Sequence, residues 1–193
     1  MVDMVSPTTA TPGAGLRAAA WLAFALLVIV VFGAAFIRFA HGDATPEAAV
    51  DAARWVYRVA AILFVLVIAG VAVVGWDALR PAARLVLGAQ VALAITLTFL
   101  GRITPSSDHP LVAFGNPVGG LALVGLGWWL VLAASPATRR ANPLLGGALV
   151  AAAFAAIAML VSWAPGLVVG LAVQFAATAV LVAGVTLLHG GRD

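Results

Sequence analysis

The amino-acid sequence predicts an all-α integral membrane protein, a bundle of six transmembrane helices. Hydrophobic residues fill 64% of the 193 positions and charged residues only 9%, whereas a soluble domain carries about 25% charged residues. The apolar residues also fall into long uninterrupted runs, and about 20 such residues in a helix span the hydrocarbon core of a bilayer. A chain with so few charges cannot cover a water-soluble surface.

Six runs have the length of a membrane span, and turn-forming residues separate them. The runs cover residues 16–40, 55–76, 84–104, 116–135, 144–163 and 166–189. The first is longer than the core of a signal peptide, so we expect it to be retained. The last two are so close in sequence that they must form a tight antiparallel hairpin. We therefore expect a disordered tail (1–15), a four-helix bundle (16–135) and a two-helix hairpin (136–193).

The distribution of arginine predicts the orientation of the chain. One set of alternate loops contains Arg17, Arg80, Arg84, Arg139, Arg140 and Arg192, whereas the other contains Arg38, Arg54, Arg58 and Arg102 together with Asp43, Glu47, Asp51 and Asp108. The positive-inside rule then places both termini in the cytoplasm. The localisation we expect is the inner (cytoplasmic) membrane of a prokaryote.

Several function classes lack the residues that they need. The chain has no Cys, so it forms neither a disulfide nor a thiolate metal site. No nucleophile with a nearby base, no carboxylate pair within a span and no phosphate-binding glycine loop is present in the sequence. The net charge of +3 is too small for a nucleic-acid surface. We expect no catalytic activity of its own and no nucleic-acid partner.

Polar residues within or next to the spans are the candidates for function, because each is costly in hydrocarbon unless it is paired or hydrated. They are Arg38, Tyr57, Arg58, Gln90, Arg102, Asn116 and Gln174. Each arginine taken alone is explained by a side chain that reaches the outer interface. Arg38, Arg58 and Arg102 nevertheless come from three spans at the same predicted face, where three guanidinium groups together would bind an anion.

The histidines favour no metal or haem site inside the bundle. His41 and His109 fall in outer loops. A lone loop histidine is usually solvated, so a metal or haem bound by these two residues together is the less favoured interpretation. His189 lies at the opposite face. A haem held within a bundle needs histidines that face each other from helix interiors.

Short motifs stand at the outer ends of the first four runs. Residues 33–38 (Gly-Ala-Ala-Phe-Ile-Arg) end the first run before a His-Gly-Asp loop, and residues 54–58 (Arg-Trp-Val-Tyr-Arg) open the second. The third run contains Gln90 and ends in residues 100–104 (Leu-Gly-Arg-Ile-Thr), and residues 114–117 (Phe-Gly-Asn-Pro) open the fourth. Together these motifs resemble one half of the haem A synthase family, the membrane enzymes and assembly proteins that serve cytochrome oxidase.

Departures from the family pattern limit what the resemblance implies. The positions of the haem-ligating histidines hold Tyr57 and Asn116, and the motif Glu is replaced by Arg54. Asn is not a usual axial ligand, and Tyr is an uncommon one. The outer-loop Cys pair of many members is missing, and the second four-helix half is reduced to two helices. The resemblance implies a relative without the haem-oxidising activity, in which Arg38, Tyr57, Arg58, Arg102 and Asn116 line a vestigial pocket for haem, lipid or quinone.

The function expected on this basis is that of a non-catalytic membrane subunit or assembly factor of a haem-copper terminal oxidase in a respiratory chain. Its partners would be the oxidase catalytic subunits and membrane lipids, with quinone as a further candidate. No resident cofactor is expected. Two alternatives stay open, a b-type haem-binding or haem-modifying membrane protein and a lipid- or quinone-binding membrane protein.

Overall fold

The computed structural model describes residues 13–40, 45–103, 110–135, 141–163 and 166–189. Almost all of these residues lie in six α-helices, and these ranges contain no β-strand. The helices are α1 (Ala14–Ala40), α2 (Glu47–Val74), α3 (Pro81–Ile103), α4 (Pro110–Ala133), α5 (Pro143–Trp163) and α6 (Leu167–His189). All six are long and apolar enough to cross a membrane. The prediction of an all-α membrane protein with six spans is confirmed.

Two helices begin more than one helical turn earlier than the apolar runs predicted. Helix α2 starts at Glu47, and its first turns carry an ion pair between Arg54 and Asp51, whose nitrogen and oxygen lie 2.8 Å apart. Helix α4 starts at Pro110 and continues through Pro117. The polar residues in the first turns of α2 kept those turns out of the apolar run. Helix α4 can continue through Pro117 because a proline inside a span is tolerated when neighbouring groups bond the backbone group that it leaves free.

Three helices form the centre of the bundle. Helices α1, α4 and α6 pack against one another, and each has one peripheral neighbour: α2 lies against α1, α3 against α4, and α5 mainly against α6. Leu121, Val124 and Ile157 are fully buried. The peripheral helices expose large apolar side chains, such as Ile62 and Leu66 on α2, each 62% exposed. Because hydrocarbon solvates such side chains, the chain is an integral membrane protein.

Glycines set the closest helix contacts. At Gly146 of α5, a Cβ atom would lie 2.8 Å from the carbonyl oxygen of Gly184 on α6, and at Gly184 it would lie 2.9 Å from the carbonyl oxygen of Gly146. Asn142 ties the same pair of helices, since its backbone N–H donates to the carbonyl of Leu187 at 3.1 Å. Helices α5 and α6 therefore pack as a close antiparallel pair, and their connection, residues 164–165, lies outside the described ranges.

Three further glycines lie at helix contacts. A Cβ atom at Gly119 would meet Leu97 of α3 at 2.6 Å, and one at Gly120 would meet Val31 of α1 at 3.4 Å. A Cβ atom at Gly170 would lie 2.6 Å from the ring of Phe39. Small residues therefore allow α1, α3 and α6 to approach their neighbours closely.

Successive spans run in opposite directions across a membrane. The amino ends of α1, α3 and α5 therefore share one end of the bundle, called here the proximal end, and their carboxyl ends share the distal end. Polar contacts fasten the proximal end. The indole N–H of Trp128 donates to Thr186 Oγ1 at 2.8 Å, and that of Trp129 donates to His189 Nδ1. Arg84 donates to the carbonyl of Trp76 at 2.9 Å and stacks over its ring.

Candidate functional site

Among the described residues, helices α1–α4, the four-helix unit, bury more side chains toward the proximal end than toward the distal end. On one face of α1, Ala20, Leu27 and Val31 are buried, whereas Ala34 and Arg38, farther along the same face, are exposed. The buried residues of α3 end at Gln90. Helices α2 and α3 touch only marginally, and they are joined by a short connection at the proximal end. The distal ends of these four helices, called here the distal mouth, carry the predicted site residues.

Arg38 lies in the last turn of α1, and its side chain is exposed. Its Nη1 atom donates a hydrogen bond to the backbone carbonyl of Ala113 on α4, at 3.1 Å. A charged donor makes this bond stronger than one between neutral groups. Arg38 thus has a partner in the fold and uses one of its five N–H groups to join the distal ends of α1 and α4.

Arg58 and Tyr57 are neighbours on α2 but have different surroundings. Tyr57 is half-buried and packs against α1, where a Cβ atom on Gly33 would lie 3.4 Å from the Tyr57 Cβ. Arg58 is exposed, and among the described residues it has no ion pair or side-chain hydrogen bond. Of the arginines at this mouth whose side chains are described, Arg58 is the one with all its donors available.

The remaining predicted residues are placed only in part. Asn116 is exposed on α4, next to Pro117. Arg102 belongs to α3, but its side chain is not among those that the structure describes. His41 and His109 lie entirely outside the described ranges. Among the described residues, no group of three His, Cys, Asp or Glu side chains is placed to hold a metal ion.

Tyr57 and Asn116 stand at the two positions that the resemblance aligns with haem ligands. They lie on α2 and α4, and these two helices share at most a marginal contact within the described part of the chain. An amide is also a poor axial ligand for haem. The amide at position 116 is therefore not a usual ligand for haem iron, and the role of the five predicted residues in binding stays a prediction.

No family model, curated protein or solved structure matches this chain. The resemblance to haem A synthase therefore rests on the four short motifs alone.

Buried polar side chains form a second feature of the bundle. Gln90 is fully buried between α3 and α4, and neither its Nε2 nor its Oε1 has a hydrogen-bond partner within the described residues. A Cβ atom at Gly127 would lie 3.2 Å from Gln90 Nε2, so the glycine makes room for the amide. Gln174 and Thr178, one turn apart on α6, are also buried. The sequence selected both glutamines but missed Thr178, because a threonine in a helix usually bonds its own backbone.

An apolar groove follows the side of α1 between α2 and α6. Its volume is about 450 Å³, and it is lined by Ile29, Phe32, Gly33, Phe36, Ala49, Ala53, Val56 and Leu171. The groove is shallow and largely open, and none of the described residues that line it carries a charge. The sequence analysis did not predict this groove. Its one signal was Gly33, a motif glycine at the close contact between α1 and α2.

Proposed function

We propose that this chain is a non-catalytic membrane subunit or assembly factor of a haem-copper terminal oxidase, and that it acts by packing its helices against the catalytic subunit. It resides in the inner membrane of a prokaryote with both termini in the cytoplasm. The partner comes from the motif resemblance, and the orientation from the distribution of arginine.

One observation carries the non-catalytic part of the proposal. Two of the motif residues that have described side chains make helix contacts: Arg38 bonds α4, and Tyr57 packs on Gly33 of α1. The position of a family haem ligand is thus occupied by a side chain that contributes to the α1–α2 interface. In this chain the motif residues Arg38 and Tyr57 therefore serve helix packing, which is the role that the proposal gives to an accessory subunit.

The peripheral helices offer surfaces for a partner. Helix α2 contacts essentially α1 alone, so apolar side chains on both of its sides are exposed. Transmembrane helices associate through close packing of small residues rather than through the hydrophobic effect. Gly70 on α2, Gly88 on α3 and Gly147 on α5 have no atom of another helix within 4 Å of an added Cβ. A partner helix can approach the backbone at these three glycines.

Affinity purification tests the proposal. The tagged chain, extracted in mild detergent from a strain that expresses it naturally, should co-purify with oxidase subunits, and its deletion should lower the amount of assembled oxidase. Recovery of no oxidase subunit together with full oxidase activity in the deletion strain would refute it.

Bulky substitutions then locate the contact. Gly70→Leu, Gly88→Leu and Gly147→Leu should leave the isolated chain folded, because each glycine is open in the structure. The substitution that faces the partner should reduce co-purification, whereas the matched alanine variant at the same position should reduce it less. Equal recovery with all three leucine variants would mean that none of these three surfaces is the interface.

A second candidate, a lipid- or quinone-binding protein, is favoured by the apolar groove along α1. Its lining fits an acyl or isoprenoid chain. Ala53 lines the groove and Ala52 is exposed outside it, so Ala53→Phe should remove a co-purifying lipid or quinone while Ala52→Phe retains it. Mass spectrometry of the extracted ligands distinguishes the two classes, and equal ligand content in both variants would contradict this candidate.

A further inference from the structure

A proline interrupts the backbone hydrogen bonds of α4. In an α-helix the carbonyl of residue i accepts from the N–H of residue i+4. The partner of the Ala113 carbonyl would be residue 117, which is Pro117 and lies inside the helix. Proline has no N–H, and its ring pushes against the carbonyl four residues earlier. The Ala113 carbonyl therefore lacks its regular donor within α4.

The guanidinium of Arg38 occupies the place of this missing donor. Its Nη1 atom lies 3.1 Å from the oxygen of Ala113, and the two residues are 75 positions apart in sequence. An unbonded carbonyl is costly wherever lipid excludes water. We infer that Arg38 is a positioning residue that replaces the missing amide of Pro117 and thereby fixes the first two turns of α4 to the end of α1.

The neighbouring contacts show why α4 needs this bond. Immediately after Pro117, Gly119 packs on Leu97 and Gly120 on Val31, so the helix from there onward is held on two sides. Before Pro117 the side chains of Phe114 and Asn116 are exposed. The Arg38 bond ties this exposed segment to α1.

This assignment separates arginines that the sequence grouped together. Arg38 is committed to the backbone of α4, whereas Arg58 has no described partner. Replacing Arg38 should alter the fold at the mouth, and replacing Arg58 should not. The inference concerns stability and is independent of the proposed oxidase partner, so either can fail without the other.

A double-mutant cycle tests the inference. Arg38→Met removes the donor and keeps an apolar stem, while Pro117→Ala restores an N–H to the Ala113 carbonyl. In the native chain, Arg38→Met should lower the folding equilibrium constant about tenfold, the effect expected for a hydrogen bond with a charged donor. In the Pro117→Ala background, the same substitution should lower it less than about threefold. Folding is measured by SDS titration in mixed micelles and followed by far-UV circular dichroism.

Matched controls keep the test decisive. Arg58→Met should have the same small effect in both backgrounds, because Arg58 makes no described bond. If Arg38→Met alone fails to fold, the Arg38→Met/Pro117→Ala double variant should fold. An equal effect of Arg38→Met in both backgrounds, or a double variant that fails to fold while Pro117→Ala folds, would overturn the inference.

Discussion

The crossing of α5 and α6 gives the sharpest stability prediction, because two glycine backbones meet there. A Cβ atom at Gly146 would lie 2.8 Å from the carbonyl oxygen of Gly184 and 3.0 Å from the backbone nitrogen of Leu188. Ordinary contacts of a Cβ atom lie at 3.4–4 Å. Backbone atoms cannot turn aside as a side chain does, so Gly146→Ala must move the two helices apart.

The magnitude follows from two opposing effects. Alanine stabilises a helix relative to glycine by about 0.5–1 kcal/mol, and overpacking of a close contact costs about 1–3 kcal/mol. Gly147→Ala is the matched control, since it lies in the same helix turn with nothing within 4 Å of its added Cβ. The propensity effect cancels between the two variants. The free energy of unfolding should therefore be about 1–3 kcal/mol lower for Gly146→Ala than for Gly147→Ala.

Unfolding by SDS in mixed micelles, followed by far-UV circular dichroism, measures this difference. The Gly146→Ala/Gly184→Ala double variant extends the test. Once the first substitution has separated the helices, the second should cost less than it does alone. A difference between Gly146→Ala and Gly147→Ala smaller than about 0.5 kcal/mol would refute the argument that backbone contact limits the crossing.

Three further predictions address the interior, the cofactor and the orientation. Gln90→Leu should raise the free energy of unfolding by about 1 kcal/mol, since it removes a buried amide that has no described partner; a loss of stability in the same SDS titration would mean that this amide is bonded in the folded protein. The purified chain should show no Soret band in its absorption spectrum, because Asn116 is not a usual axial ligand of haem and Tyr57 is an uncommon one; stoichiometric iron porphyrin would overturn the non-catalytic proposal. Two reporter enzymes fused after residue 193 test the orientation: one that works only in the cytoplasm should be active, and one that works only after export should be inactive. The reverse pattern would invert the proposed orientation.

Part of the candidate site was accessible to sequence reasoning. Position within an apolar run was sufficient to select Arg38, Arg58 and Gln90, because ionisable or polar groups are rare in hydrocarbon. Their roles were not accessible. The grouping of arginines as an anion site did not anticipate that Arg38 bonds Ala113, since the contact joins residues 75 positions apart. Pro117 was interpreted as part of a helix start, although it lies within α4.

The sequence by itself determined the number and type of the membrane spans. Each uncharged run is solvated by hydrocarbon along its own length, and a run of that length satisfies its backbone only as a helix. The tertiary structure decided which helices are neighbours. Helix α5 is apolar around nearly its whole circumference, so its pattern of residues does not select a side for lipid or for protein. Helix α6 has Gln174 and Thr178 on its buried side and is otherwise equally apolar. Packing at Gly146 and Gly184, and the bond from Arg38 to α4, make that selection through backbone contacts that exist only once the helices have assembled.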